Sequence, residues 1–86
     1  MKPKRLLGRL LRGELRNVAF ADFRRLVETF GFREHRRSGS HAVYLHPEVH
    51  ENLSLQPHRS EAKPYQIRQF LSLVEEYNLT VEPEDE

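Results

Sequence analysis

The sequence predicts one small α+β domain of the order helix, strand, strand, strand, helix, with a three-stranded antiparallel sheet and both helices on one of its faces. Three observations lead there. Two stretches, 20–30 and 64–77, repeat apolar residues with the period of a helix, whereas 41–46 and 52–56 alternate apolar and polar residues as strands do. The joints between strands are short and carry turn chemistry: Ser38-Gly39-Ser40, then Pro47 to Glu51. A chain of 86 residues has the length of one domain, and a domain this small buries one modest core.

The first sixteen residues stand apart by charge. Lys2, Lys4, Arg5, Arg9, Arg12 and Arg16 face a single Glu14, a net +5, while Glu75 to Glu86 carries six acidic residues and no basic one. This asymmetry, hidden in a formal net charge of +1, favours a charged partner. Leu6, Leu7, Leu10, Leu11 and Leu15 would gather on one side of a helix, but Gly8 and Gly13 weaken it by about 1 kcal/mol each relative to alanine. Residues 1–17 therefore read as a basic N-terminal arm, either a conditional helix or a solvated tail. The leucines are too interrupted for a membrane span or a signal peptide. With no cysteine there is neither disulfide nor thiolate ligand, and a cytoplasmic location is expected.

From Phe20 the pattern firms. Phe23, Leu26, Val27 and Phe30 form the stripe of an amphipathic helix, Asp22 suits its first turn, and Gly31 can close it. Phe32 turns back towards the core. Arg33 to Ser38 is a polar, exposed strand. In the next strand Val43 and Leu45 are expected on one face, with Ala42, Tyr44 and His46 on the other; in the third, Leu53 and Leu55 oppose Ser54 and Gln56. Pro64 opens the last helix, whose stripe is Ile67, Phe70, Leu71, Val74 and Tyr77, with Asn78 and Leu79 as its stop. Residues 80–86 read as an acidic, frayed tail around Pro83.

The chemistry centres on "RRSGSHAVYLHP", residues 36–47. RNA carries its own nucleophile, the 2′-hydroxyl, so its cleavage needs a base for that proton, an acid for the leaving 5′-oxygen and positive charge for the phosphate. A histidine, with an unperturbed pKa of about 6.5, can serve as base or acid near neutrality. His41 is the candidate. Gly39 would let a phosphate approach the backbone, Ser40 offers a hydroxyl, and Arg36, Arg37, Arg59, Lys63 and Arg68 are candidate phosphate ligands. His58 can approach His41 across a short antiparallel sheet as a second proton carrier or RNA ligand, and Tyr44 can stack on a base. Each has a plainer alternative: His41 shares strand parity with Val43 and Leu45 and could sit at the rim of the core, His58 could be a polar strand end, Tyr44 could pack. His46 and His50 raise the thought of zinc, but Pro47 between them argues against the helical turn that would align them, so no metal or other cofactor is expected.

The helix ending "FGF", the strand, "SGSH", "VYLHP", the strand ending "LQPH" and then "KPYQIRQFLSLVEEYNL" together resemble the HicA (YcfA-like) mRNA interferase toxins of type II toxin–antitoxin systems. The resemblance covers residues 18–79 and leaves the arm and the tail outside. It implies a fold like that of a double-stranded-RNA-binding domain and the activity of a metal-independent endoribonuclease that cuts mRNA, free or ribosome-bound. It also implies His41 as the catalytic histidine and a HicB-like antitoxin as partner. Many relatives carry a second histidine next, where this chain has Ala42. The alternative is a non-catalytic module of the same fold that binds RNA or protein.

Overall fold

The computed structural model describes residues 1–81. Its elements are α1 (Pro3–Leu11), α2 (Phe20–Thr29), β1 (Arg33–Ser38), β2 (His41–Leu45), β3 (Leu53–Leu55) and α3 (Pro64–Glu76). The strands make one antiparallel sheet in the order β1-β2-β3, so β2 is central and the expected α-β-β-β-α layout is present, preceded by α1. Apart from Thr80 and Val81, the acidic tail expected at 80–86 lies outside the described residues.

The core forms where α2 and α3 cover one face of the sheet. Phe70 of α3 is its centre, with the rings of Phe23, Phe30 and Phe32 edge-on to it at 5.6, 5.5 and 6.0 Å between centroids. Such edge contacts add to the burial of the rings themselves. Gly31, at φ +98°, closes α2 in the left-handed region, which a side chain would disfavour, and sends Phe32 directly back into this cluster.

The two faces of β2 are grouped as expected, but the one that the helices cover is that of Ala42 and Tyr44, not that of His41, Val43 and Leu45. Ala42 and Tyr44 face the helices and are fully buried, while Val43 and Leu45 lie half-buried on the opposite face. Four consecutive apolar residues leave the parity open within the strand. The neighbour decides it: Leu53 and Leu55 point into the core, and register pairs them with Tyr44 and Ala42, so those two share their face. Tyr44 at 0% exposure is therefore a core residue, and the expectation that it stacks on a base is corrected.

β1 differs from the other strands in having all six residues exposed. Its register with β2 shifts between Glu34 and Arg36, which leaves His35 at a bulge. A short, bulged, charged strand is a stable way to end a sheet, because it discourages pairing with other chains.

Residues 3–11 are a helix held by the domain. Leu6 and Leu10 reach 1% and 2% exposure in the same core as Phe23 and Leu26, and α1 packs on α2. Burial of each leucine stabilises by about 1.5–3 kcal/mol, which outweighs the cost of Gly8, about 1 kcal/mol. Tertiary packing thus supplies what the isolated helix lacks. The guanidinium of Arg9 donates to the carbonyls of Arg16 and Asn17, tying the chain that leaves α1 back onto the helix. Leu11 remains 69% exposed.

Candidate functional site

Two tight turns close one end of the sheet. The first joins β1 to β2: Ser38 pairs with His41, and Gly39 at φ +60° with Ser40 makes the two-residue connection, the glycine-first pattern of a type II′ hairpin. Nothing lies within 4 Å of a Cβ built at Gly39, so the tip of this hairpin stands open to a large ligand.

The second turn follows β3. His58 and Glu61 exchange both backbone bonds at 2.9 Å across Arg59 and Ser60, which have φ of 52° and 67°. Two left-handed residues in succession are the type I′ pattern, normally filled by asparagine or glycine. Here an arginine and a serine occupy it, at a cost of order 1–2 kcal/mol each. The surroundings hold it in place: Phe20 N donates to Ser60 O at 2.9 Å, and Ala62 N donates to Val18 O at 2.8 Å. The turn is thus bonded to the chain entering α2.

Register brings these turns to the same end. Ala42 pairs with Leu55, so one step outward His41 comes beside Gln56, and His58 follows two residues later. Gln66 secures this junction. It is a buried polar residue of the first turn of α3; its Oε1 accepts from Gln56 N at 3.1 Å and its Nε2 donates to Tyr65 Oη at 3.1 Å. Sequence reasoning missed Gln66. The available signal was a glutamine four residues before Phe70, inside a stripe otherwise apolar.

His41 is exposed on the face of the sheet away from the helices, and among the described residues no hydrogen bond or ion pair holds its ring. Register puts Ser38 beside it, and Arg36, Val43 and Ser54 form the next row on that face. Arg37 pairs with Ala42 and therefore stands on the other face, where it binds Glu34 at 2.5 Å; the carboxylate raises the arginine's pKa further. Of the two adjacent arginines expected as phosphate ligands, Arg36 is the one that register aligns with His41. Arg59 and His58 are exposed at the second turn, and Lys63 caps α3 just beyond it, half-buried. Arg68 is elsewhere, in a shallow groove on α3 beside Leu71, Ser72, Glu75 and Glu76, where acidic neighbours oppose phosphate binding.

The remaining histidines have plain roles. His46 Nε2 lies 3.0 Å from Phe30 O and its Nδ1 accepts from Glu48 N at 3.0 Å, so both ring nitrogens serve the loop between β2 and β3. His50 sits against the ring of Tyr77, whose hydroxyl donates to Glu51 and is raised in pKa by that bond. Among the described residues no group of three metal-ligating side chains converges. Beneath the site, the buried Tyr44 hydroxyl has no hydrogen-bond partner among the described residues; burial, then the Glu28 carboxylate, raises its pKa.

The arrangement offers an unengaged imidazole, a hydroxyl on each side of Gly39, a second imidazole and separate guanidinium groups at one end of a sheet. Those are the groups that RNA transesterification uses. No helix among the described residues is long and apolar enough to cross a membrane.

The family model described as the HicA toxin of bacterial toxin–antitoxin systems matches residues 20–75, from the start of α2 to the last turn of α3. No curated protein and no solved structure matches the chain.

Proposed function

The chain belongs to the HicA toxin family, a toxin whose partner is an antitoxin, and from that premise we propose that it is a metal-independent endoribonuclease that cleaves mRNA in the cytoplasm through His41. The observation that carries this reading is the exposed, unengaged imidazole of His41 at the head of β2, directly after the open Gly39 turn.

His41 removes the proton of a 2′-hydroxyl, whose oxygen attacks the adjacent phosphorus as the bond to the 5′-oxygen breaks. The products are a 2′,3′-cyclic phosphate and a free 5′-hydroxyl. The departing oxygen takes a proton from His58 or from water, and Arg36 and Arg59 oppose the charge on the phosphate. Gly39, Ser40 and Lys63 line the approach. Arg36 and Arg59 suit this role because a guanidinium can hold two phosphate oxygens at once. A HicB-like antitoxin would neutralise the toxin by covering this end of the sheet.

The second reading, a module that binds RNA or protein without cutting, draws on one observation: among the described residues no hydrogen bond or ion pair orients the His41 ring. Cleavage of RNA in the presence of EDTA, wild type against His41→Ala, decides between them. The expected result is loss of cleavage by on the order of a hundredfold or more in the variant, with RNA binding retained. Equal rates in the two proteins would remove His41 from the chemistry. Activity that vanishes in EDTA for the wild type would overturn metal independence.

A further inference from the structure

The helix α1 precedes the region matched by the family and carries a feature that the site does not use. Leu6 and Leu10 fix its rotation by entering the core. At 100° per residue that turns Lys4, Arg5 and Leu11 outward, with Arg12 at its end and Gly8 midway along the same stripe.

Gly8 has no internal reason to be glycine. Its φ is not positive, and a Cβ built there would meet only Nη1 of Arg12 at 3.7 Å, an ordinary contact. A glycine inside a helix lowers stability relative to alanine, so the protein carries a cost that its own packing does not explain. A ligand that lies close against the helix does explain it, because the missing methyl lets that ligand reach the backbone between the flanking cations.

The character of the stripe favours one kind of ligand. Protein interfaces have an apolar centre, whereas this surface offers cations around a glycine and one exposed leucine. Arg12 is shared with Glu14 at 3.1 Å and Lys4 is also engaged, so RNA would have to compete for both; Arg12 and Glu14 are largely exposed and their pair is easily exchanged for a phosphate. Position adds to this. The chain leaving α1 is held by Arg9, continues through Val18 to Phe20, and is bonded there to the turn that carries His58 and Arg59. Arg16 therefore lies on the short stretch of chain that joins the end of α1 to the turn carrying Arg59.

We propose that the outward stripe of α1, Lys4, Arg5, Gly8 and Arg12, binds the phosphodiester backbone of RNA outside the stretch that is cut. The inference rests on the reading of this chain as a protein that acts on RNA, and it extends the footprint beyond the family domain.

The test is equilibrium binding of the full chain to an RNA oligonucleotide that is 2′-O-methylated throughout. Such a strand lacks the nucleophile and stays intact, so binding is measured apart from cleavage. The triple variant Lys4→Gln/Arg5→Gln/Arg12→Gln is expected to bind roughly tenfold more weakly or worse at low salt, and to lower the slope of log K against log salt by roughly 2. Gly8→Ala is expected to weaken binding severalfold while raising Tm by about 5 °C, a pair of opposite changes that misfolding cannot produce. Unchanged affinity and salt slope in the triple variant would overturn the proposal and leave the stripe to an acidic protein. A wild-type chain that binds the strand through α1 yet never cuts RNA would sink the ribonuclease reading and leave this one standing.

Discussion

The turn Ser38–His41 and the turn His58–Glu61 stand at the same end of the sheet, yet one is relaxed and open and the other is strained and fastened. Gly39 takes its positive φ at little cost, and the β1 strand behind it is exposed along its whole length. Arg59 and Ser60 take positive φ against their side chains, and the backbone bonds of Phe20 to Ser60, of His58 with Glu61 and of Ala62 to Val18 hold the turn there. The difference teaches how the labour is divided. The hairpin that carries His41 rests on an exposed edge strand, whereas the second turn presents Arg59 from a backbone tied to the chain entering α2. Strain of this kind persists only where the surroundings over-determine the backbone.

Exchange of roles is the largest way to break that comparison. His41→Ala is expected to lose on the order of a hundredfold in cleavage rate or more, and His58→Ala about tenfold, because water can replace an acid for the leaving group more readily than a positioned base. Rates measured on one RNA substrate check this, and a greater loss for His58→Ala would reverse the assignment. Next in size, Gln66→Leu leaves the Gln56 N–H without its acceptor at the base of the second turn. Urea unfolding is expected to show a loss of about 1–3 kcal/mol. Smallest are the turns themselves. Gly39→Ala is expected to destabilise by about 1 kcal/mol and Ser60→Gly to stabilise by about as much, opposite signs from opposite backbones. Thermal unfolding of the two variants would show it, and equal signs would mean that the second turn is not strained.

How far the sequence could be read varies along the chain in a way that particular residues explain. α2 and α3 were plain because Phe23, Leu26, Val27 and Phe30, or Ile67, Phe70 and Val74, repeat at a spacing that only a helix brings to one side. The hairpin was plain because Ser38-Gly39-Ser40 has turn chemistry. The faces of β2 were not, since Ala42, Val43, Tyr44 and Leu45 are all apolar and either alternation satisfies them. Which of Arg36 and Arg37 shares the face of His41 was not legible either, because it depends on the register between β1 and β2. Gln66 was missed because its importance lies in a bond to Gln56, ten residues away on another element. The strained turn at Arg59 and Ser60 has no signature at all, for neither residue type announces a positive φ.

For the N-terminal stretch, the sequence by itself determined that a helix was available and that it would be basic. Whether it forms depended on finding a place for Leu6 and Leu10, and that place exists only when Phe23 and Leu26 of α2 are assembled around them. Local spacing and charge are properties of neighbours along the chain, so elements, turns and the presence of His41 after Gly39 could be read directly. Faces, registers and the placing of the His41 and His58 turns at one end of the sheet depend on which distant residues share one core. Only tertiary packing decides that, because burial is gained by the whole assembly and not by any segment alone.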